Sequence, residues 1–230
     1  MRKHALILAA AAALMVLAGV WGSPVRAADP GEAQDLVERA RLAYEEIIRE
    51  ENFGRARAEM KTAKAVFIVP RLFKAGFIFG GEGGSGILIA RRGDGSWGYP
   101  AFYTMGGGSI GLQIGVQDSQ VLFIIRNDGG LKAVLEDQVK LGADVSVTAG
   151  SLGAGMEAST TTSMGADIVS FSLARGAFGG GAFEGSVIAK RSDLNAQYYG
   201  SEIAPRDIVM GNTASNPAAD MLREALARQQ

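Results

Sequence analysis

The chain contains no cysteine, and its only histidine is His4. Disulfides are therefore excluded, and so are catalytic Cys-His pairs and zinc sites that depend on cysteine. If His4 is removed with a leader peptide, Ser-His-Asp triads and histidine metal sites are excluded as well. Hydrophobic residues make up 47% of the sequence and charged residues only 20%. An exported protein of this composition must be stabilised by its apolar core alone.

The N-terminal region has the pattern of a cleavable signal peptide. Arg2 and Lys3 precede an apolar stretch at residues 5–20, and small residues at Val25 and Ala27 mark a cleavage site. We therefore expect residues 1–27 to be a signal peptide and residues 28–230 to be the mature domain. The predicted location is periplasmic or secreted, and the absence of cysteine excludes a lipid-modified N-terminal cysteine.

Charge is unevenly distributed along the mature chain. Its acidic residues outnumber its basic residues, which argues against nucleic acid as a partner. Residues 55–74 are the exception, with one acidic residue and six basic ones: Arg55, Arg57, Lys61, Lys64, Arg71 and Lys74. Three of these, Arg57, Lys61 and Lys64, are spaced by four and three residues, so they share one face of a predicted helix. With Phe67 and Phe73 nearby, they suit an anionic membrane surface. The alternative is an ordinary solvated helix face over a buried apolar stripe.

Hydrophobic periodicity predicts an α+β fold. Apolar residues recur every three or four positions over residues 32–50, which predicts an amphipathic helix, and a short helix follows at 55–63. From residue 66 onward the period becomes strand-like, with about ten short strands and interspersed helices. The predicted strands include 66–69, 86–91, 109–116 and 155–160, and a short helix is predicted at 131–140. A last helix follows Pro217, with Met221, Leu222, Ala225 and Leu226 predicted to face inward. We expect a single domain with a curled or barrel-like, mainly antiparallel sheet, packed with N- and C-terminal helices.

Two glycine-rich segments match catalytic or nucleotide-binding patterns but lack the required context. Residues 81–86 fit G-x-G-x-x-G, yet a strand pattern follows where a dinucleotide site needs a helix. Residues 107–111 fit G-x-S-x-G, yet no histidine base is available and again a strand pattern follows. A glycine hairpin or bulge and a small-residue strand face are the predicted structures. Asp94, between two glycines, is predicted to be a turn residue. The acidic residues at 45–51 are interpreted as a solvated helix face.

Many of these markers together resemble the SYLF domain family, also called the Ysc-type actin-binding domain family. The resemblance covers roughly residues 33–228. Its markers include Lys74-Ala75-Gly76-Phe77, Gly83-Gly84-Ser85-Gly86-Ile87, Trp97, Pro100, Ile114-Gly115, Leu141-Gly142, Glu184-Gly185, Asn195 and Tyr198. The resemblance implies a non-enzymatic lipid-binding module, with anionic phospholipid as the ligand class for an exported bacterial member. Actin is an unlikely partner outside the cytoplasm.

The leading hypothesis is therefore an exported, non-enzymatic module that binds anionic phospholipid through the six basic residues, with neither a metal nor a cofactor. The first alternative is a structural or protein-interaction module of the periplasm without a lipid ligand. The second is an enzyme that uses carboxylates or lysine. The oligomeric state cannot be derived from the sequence.

Overall fold

The computed structural model describes residues 31–76, 79–110, 115–150, 165–176, 183–211 and 213–229. Six α-helices lie in these ranges: α1 (Glu32–Arg49), α2 (Gly54–Thr62), α3 (Asp128–Val134), α4 (Ser192–Tyr199), α5 (Pro205–Val209) and α6 (Asp220–Ala227). Short 3-10 turns precede α2 and α6, at Glu51–Phe53 and Pro217–Ala219. No helix in the described ranges is both long and apolar enough to cross a membrane.

Eight strands form one curled, half-barrel sheet between these helices. The strands are β1 (Ala65–Gly76), β2 (Phe79–Ala90), β3 (Ala101–Ile110), β4 (Gly115–Ile125), β5 (Gln138–Lys140), β6 (Val147–Ala149), β7 (Ile168–Gly176) and β8 (Val187–Lys190). Their order across the sheet is β5-β8-β3-β2-β1-β4-β7-β6. Every pairing is antiparallel except that of β6 with β7. The expected α+β fold class and curled sheet are therefore confirmed.

Helix α1 covers one face of the sheet because its apolar residues recur at helical spacing. The predicted inward residues Ala33, Leu36, Val37, Ala40, Tyr44, Ile47 and Ile48 are all buried. Glu32 and Asp35 lie in the first turn, where acidic groups complement the helix dipole. Together with α2, α4 and α6, this helix buries the alternate strand residues Ile68, Ile89 and Leu122. We call this side of the sheet the helical face.

The other face of the sheet carries a second apolar core. Residues that alternate with those of the helical face, such as Phe67, Leu88 and Phe123, pack there with α3, α5 and Phe183. Phe67 and Phe123 stack with their ring centres 5.7 Å apart. Because both faces of the central strands are buried, these strands are apolar nearly throughout rather than alternately polar. We call this side the opposite face.

The glycines of the G-x-G-x-x-G segment lie within β2, next to a bulge in β1. The β1–β2 register shifts between Ile68 and Phe73. A Cβ atom at Gly86 would lie 2.6 Å from the carbonyl oxygen of Ile68 and 2.8 Å from the ring of Phe67. One at Gly84 would lie still closer to the carbonyl oxygen of Arg71. These two glycines therefore permit close strand packing, as predicted, and no helix follows them.

Several predicted boundaries are wrong. The short strands predicted near 66–69 and 86–91 belong to continuous strands of 12 residues each. A single strand was predicted over residues 109–116, but β3 ends at Ile110 and β4 begins at Gly115. The helix predicted for residues 131–140 is replaced by α3 and the short strand β5. The strand predicted at 155–160, like the signal peptide, lies outside the described residues.

One predicted core residue is also wrong. Met221 is 61% exposed, whereas Leu222, Ala225 and Leu226 of the same helix are buried. The physical reason is that α6 contacts α1 along a narrow stripe, and Met221 lies beside that stripe. Trp97, in contrast, is buried as a structural residue, and Asp94 accepts hydrogen bonds from the backbone and hydroxyl of Ser96 in a turn.

Candidate functional site

The basic residues predicted on α2 are largely engaged within the protein. Arg55 pairs with Glu59, at 3.6 Å between Nε and Oε1. Arg57 donates from Nη1 to the carbonyl oxygens of Ile48 and Glu50, at 2.8 and 2.9 Å. A guanidinium at this position satisfies carbonyls at the C-terminal end of α1 and complements its dipole. Arg57 therefore stabilises the α1–α2 corner.

Lys61 and Lys64 remain accessible, but only Lys61 shares a helix face with Arg57. Helix α2 ends at Thr62, so Lys64 lies beyond it, and its Nζ is 3.4 Å from Asp128 Oδ1. Lys61 is exposed and has no ion-pair partner within the described part of the chain. The continuous basic helix face predicted from spacing is thus interrupted, because the helix stops before Lys64.

The two basic residues on β1 point to opposite faces of the sheet. Arg71 is on the helical face, with its side chain 71% exposed, and its Nε lies 2.6 Å from Asp118 Oδ2. Lys74 is on the opposite face, where its Nζ lies 2.5 Å from Glu82 Oε2 and 4.7 Å from the centre of the Phe183 ring. Only Arg71 of this pair is accessible to a surface ligand.

Arg71 and Lys74 lie near one end of the sheet, which we call the open end, whereas Lys61 and Lys64 precede β1 and lie towards its other end. There β1 and β7 end at Gly76 and Gly176, β3 ends at Ile110, and β2 and β4 begin at Phe79 and Gly115. The register places these strand ends together, since Gly76 is opposite Gly115 and Phe79 is opposite Ile110.

An apolar patch is exposed on the helical face of the open end. Gln120 of β4 donates to Glu46 of α1, at 2.8 Å, and Asp118 and Val116 lie beyond this contact towards the strand ends. Val116 is 60% exposed and Phe73 is 44% exposed. Phe73 is opposite Asp118 and Ala75 is opposite Val116, so the two large apolar side chains are diagonal neighbours. We define Phe73, Ala75 and Val116 as the apolar patch; Arg71 borders it.

The opposite face of the open end carries a polar row instead. Lys74 is the register partner of both Gln117 and Glu82, so the three side chains lie side by side across β4, β1 and β2. Ser186 donates a short hydrogen bond to Glu82. Gln117 is only 4% exposed, and its Oε1 has no hydrogen-bond partner. Within this row, Lys74 and Glu82 form a nearly buried ion pair that links β1 to β2.

A glycine makes room for this row. A Cβ atom at Gly107 would lie 3.0 Å from Ser186 Oγ and 3.2 Å from Glu82 Oε1. The first glycine of the G-x-S-x-G segment therefore leaves space for a structural hydrogen bond, and residues 107–110 lie on a strand rather than at the turn that exposes a nucleophile.

Four described carboxyl groups have a lowered pKa, which favours their ionised form. Hydrogen bonds from Ser146 and Asn127 lower the pKa of Asp167, and Arg191 lowers the pKa of Asp193. Arg41 and Ser96 likewise lower the pKa values of Glu38 and Asp94. A general acid at neutral pH requires the opposite shift. The described residues also contain no cluster of three or more acidic or histidine side chains that could hold a metal ion.

The sequence did not reveal which acidic residues form ion pairs with the predicted basic residues. Asp118 lies 47 residues from Arg71, and Asp128 is similarly remote from Lys64. A count of charge along residues 55–74 leaves out these carboxylates, which only the strand register brings close. The exposed Val116 was predicted to lie in an alternating strand, and nothing in the sequence indicated that the helical layer ends before it.

In the part of the chain that the structure describes, these features define an α+β half-barrel domain with mostly paired surface charge and an exposed apolar patch. The chain belongs to the Ysc84 family, also known as the SYLF domain family. The family model, described as "Las17-binding protein actin regulator", matches residues 106–229.

Relatives in yeast and humans support the same assignment. The chain is 36% identical over 170 residues to Protein YSC84 of Saccharomyces cerevisiae, covering 73% of this chain and 36% of that protein. It is 35% identical to LAS seventeen-binding protein 3 of the same yeast, with 73% and 37% covered. It is 32% identical over 156 residues to the human SH3 domain-containing YSC84-like protein 1, with 67% and 46% covered. The chain thus spans less than half the length of these relatives.

Proposed function

We propose that this chain is a non-enzymatic module of the cell envelope that binds an anionic phospholipid surface through the helical face of its open end. The observation that carries the proposal is the position of exposed Phe73 and Val116 beside exposed Arg71. Apolar side chains that enter the headgroup boundary, bordered by a cation, are the chemistry of interfacial membrane binding. The envelope location is the one predicted from residues 1–27.

The six basic residues contribute unequally in this proposal. Arg71 borders the apolar patch, whereas Lys61 and Lys64 are accessible cations towards the other end of β1, away from the patch. Arg55, Arg57 and Lys74 instead serve the fold through Glu59, the α1 carbonyls and Glu82. An exposed ion pair such as Arg71–Asp118 is worth at most about 1 kcal/mol, so Arg71 is free to exchange Asp118 for a lipid phosphate.

The net negative charge of the chain does not prevent such binding. At physiological ionic strength the screening length is about 8 Å, so distant carboxylates have little influence on a local contact. Insertion of two apolar side chains adds a contribution that salt does not screen.

Flotation with liposomes tests this proposal. Mature protein is mixed with phosphatidylcholine vesicles with and without phosphatidylglycerol, and we expect it to float only with the anionic vesicles. The double variant Phe73→Ser/Val116→Ser should bind about tenfold more weakly, because two partly exposed apolar groups lose their transfer free energy. Met221→Ser, at an equally exposed position on α6, is the matched control and should bind like the unchanged protein.

A protein-interaction module is the second candidate. The name of one yeast relative, LAS seventeen-binding protein 3, and the description of the family model both refer to Las17 binding, which favours a protein partner for part of that longer chain. Flotation separates the two candidates, because a protein-interaction module has no reason to float with anionic vesicles or to lose binding in the Phe73→Ser/Val116→Ser variant. The proposed envelope location makes actin itself an unsuitable partner.

A further inference from the structure

Two arginines converge on one tyrosine ring at the end of the sheet opposite to the open end. The segment between β2 and β3 holds Arg92 and Tyr99, and α6 supplies Arg223. The guanidinium carbon of Arg92 is 5.4 Å from the centre of the Tyr99 ring, and that of Arg223 is 4.4 Å from the same centre. The two cations are therefore separated by no more than these distances combined, and both border the same ring.

Arg223 is held in place by its own contacts. Its Nε donates to the carbonyl oxygen of Trp97 at 2.9 Å, and its Nη1 lies 2.7 Å from Asp220 Oδ1 and 3.4 Å from the hydroxyl oxygen of Tyr99. Its side chain is 23% exposed, so one edge remains accessible to solvent. The tyrosine hydroxyl accepts the hydrogen bond from Arg223, which leaves its own proton available to a ligand.

Arg92 is the unusual member of this group. Its Nη2 is buried and has no hydrogen-bond partner, although a buried guanidinium nitrogen is normally satisfied. Neither a carboxylate nor a carbonyl in the described part of the chain pairs with this side chain. Arg92 has a weak electrostatic interaction with Asp94, since its charge is a minor cause of the lowered pKa of that carboxyl group. The carboxylate of Asp94 already accepts a hydrogen bond from Ser96. An incompletely satisfied guanidinium is a suitable receptor for an external anion.

The backbone around this group is fixed before any ligand arrives. The amide of Arg92 donates to the carbonyl of Ser96 at 2.7 Å, and Gly95, with a φ of +87°, closes the turn. Gly98 donates its amide to the Ala90 carbonyl at 2.8 Å, and a Cβ atom there would lie only 3.3 Å from that oxygen. Preorganisation of this kind reduces the conformational entropy lost on binding.

We propose that Arg92, Tyr99 and Arg223 form a binding site for a phosphate group. Two guanidinium groups and one hydroxyl supply several donors at one ring, which suits the several oxygens of a tetrahedral phosphate better than the two oxygens of a planar carboxylate. Asp220 neutralises only one of the two arginines, so the site retains a positive charge for an anion. The phosphate belongs either to a soluble phosphoester or to a lipid headgroup.

Titration calorimetry with inorganic phosphate and glycerol 3-phosphate, and flotation with phosphatidylcholine vesicles with and without phosphatidic acid, test this site. We expect saturable binding that Arg92→Gln weakens at least tenfold. Arg39→Gln, which removes an exposed arginine from α1, is the charge-matched control and should leave binding unchanged. Arg92-dependent binding of the soluble probes identifies a soluble phosphoester, and Arg92-dependent binding of vesicles alone identifies a headgroup; both support the site.

The proposal is overturned if no probe binds the unchanged protein, or if Arg92→Gln and Arg39→Gln bind equally. Thermal unfolding of each variant shows whether it is folded. Should Arg92→Gln be unfolded, Tyr99→Phe provides the test, because it keeps the ring and removes only the hydroxyl donor. That variant should then bind severalfold more weakly, and equal binding would overturn the site. This site is far along β2 and β3 from Phe73 and Val116, so its failure leaves the open-end proposal intact.

Discussion

Arg71 of β1 reaches across to Asp118 of β4, with its Nε 2.6 Å from Oδ2, although 47 residues separate them in the sequence. Asp118 is also the register partner of Phe73, so the ion pair lies directly beside the apolar patch. The carboxylate reduces the net charge that a membrane would encounter there. In the proposed lipid contact, Asp118 keeps the arginine in position for a lipid phosphate and compensates its charge in solution.

This pairing predicts opposite effects of its two partners on lipid binding. Asp118→Asn removes a negative charge beside the patch and should strengthen binding to anionic vesicles severalfold. Arg71→Gln should weaken it about fivefold, because each basic residue near an anionic surface contributes about 1 kcal/mol. Both changes should alter the free energy of unfolding by less than about 1 kcal/mol, since the pair is exposed. Flotation at two salt concentrations, with urea denaturation alongside, measures both quantities.

A fold defect or equal binding by the two variants would show that the pair has no role in lipid contact. The matched comparison is Arg206→Gln, which removes an exposed arginine that pairs with Glu136 away from the patch. It should leave vesicle binding as it is.

Arg57 should contribute to the free energy of unfolding, whereas Lys61 should not. Arg57→Gln removes a cation that donates to two carbonyls at the end of α1, and we expect the free energy of unfolding to fall by about 2 kcal/mol. Lys61→Gln, four residues along the same helix, should leave it unchanged, because Lys61 has no ion pair among the described residues. Urea denaturation of the two variants decides the matter, and equal stability would refute the capping role of Arg57.

The buried pair of Lys74 and Glu82 should show strong coupling. Lys74→Met leaves the Glu82 carboxylate nearly buried without its cation, which should cost roughly 3 kcal/mol or more. The double variant Lys74→Met/Glu82→Met should lose clearly less free energy of unfolding than Lys74→Met alone, because two apolar groups replace the ion pair. A double-mutant cycle by urea denaturation measures this. Additive losses from the two single variants would mean that the ion pair is energetically unimportant.

Gly86 should tolerate no side chain. Gly86→Val places carbon atoms against the Ile68 carbonyl and the Phe67 ring, and overpacking of this kind costs roughly 1–3 kcal/mol. Gly93→Val is the control, because no atom lies within 4 Å of the Cβ position there. Thermal unfolding should separate the two variants clearly. If Gly86→Val kept its melting temperature and lost ligand binding, the glycine would belong to a binding site instead.

The sequence predicted the features that depend on local pattern. The stripe of α1 from Ala33 to Ile48 has helical period and is buried, and the turn at Asp94 follows from its flanking glycines. The strand boundaries were harder to predict, because long strands that are buried on both faces, such as β1, lack polar alternation. The helix predicted for residues 131–140 failed because β5 takes its last three residues into a pairing with β8.

The candidate site depends on tertiary contacts that a sequence alone does not contain. The six basic residues could be found by charge count, but their counter-ions Asp118, Glu82 and Asp128 come from other elements. The exposure of Val116 depends on where α1 stops covering β4, which is set by packing rather than by periodicity. The meeting of Arg92 and Arg223 at Tyr99 joins residues more than a hundred positions apart.

Fluorescence quenching by brominated lipids tests the central claim most directly. The variant Phe73→Trp places a tryptophan in the apolar patch, and buried Trp97 gives a constant background that the unchanged protein measures. With anionic vesicles whose acyl chains carry bromine near the headgroup, we predict a blue shift and strong quenching of Phe73→Trp. Met221→Trp, at an exposed position of α6, should show neither the blue shift nor the quenching. Unchanged emission of Phe73→Trp in the presence of these vesicles would contradict lipid binding through the open end.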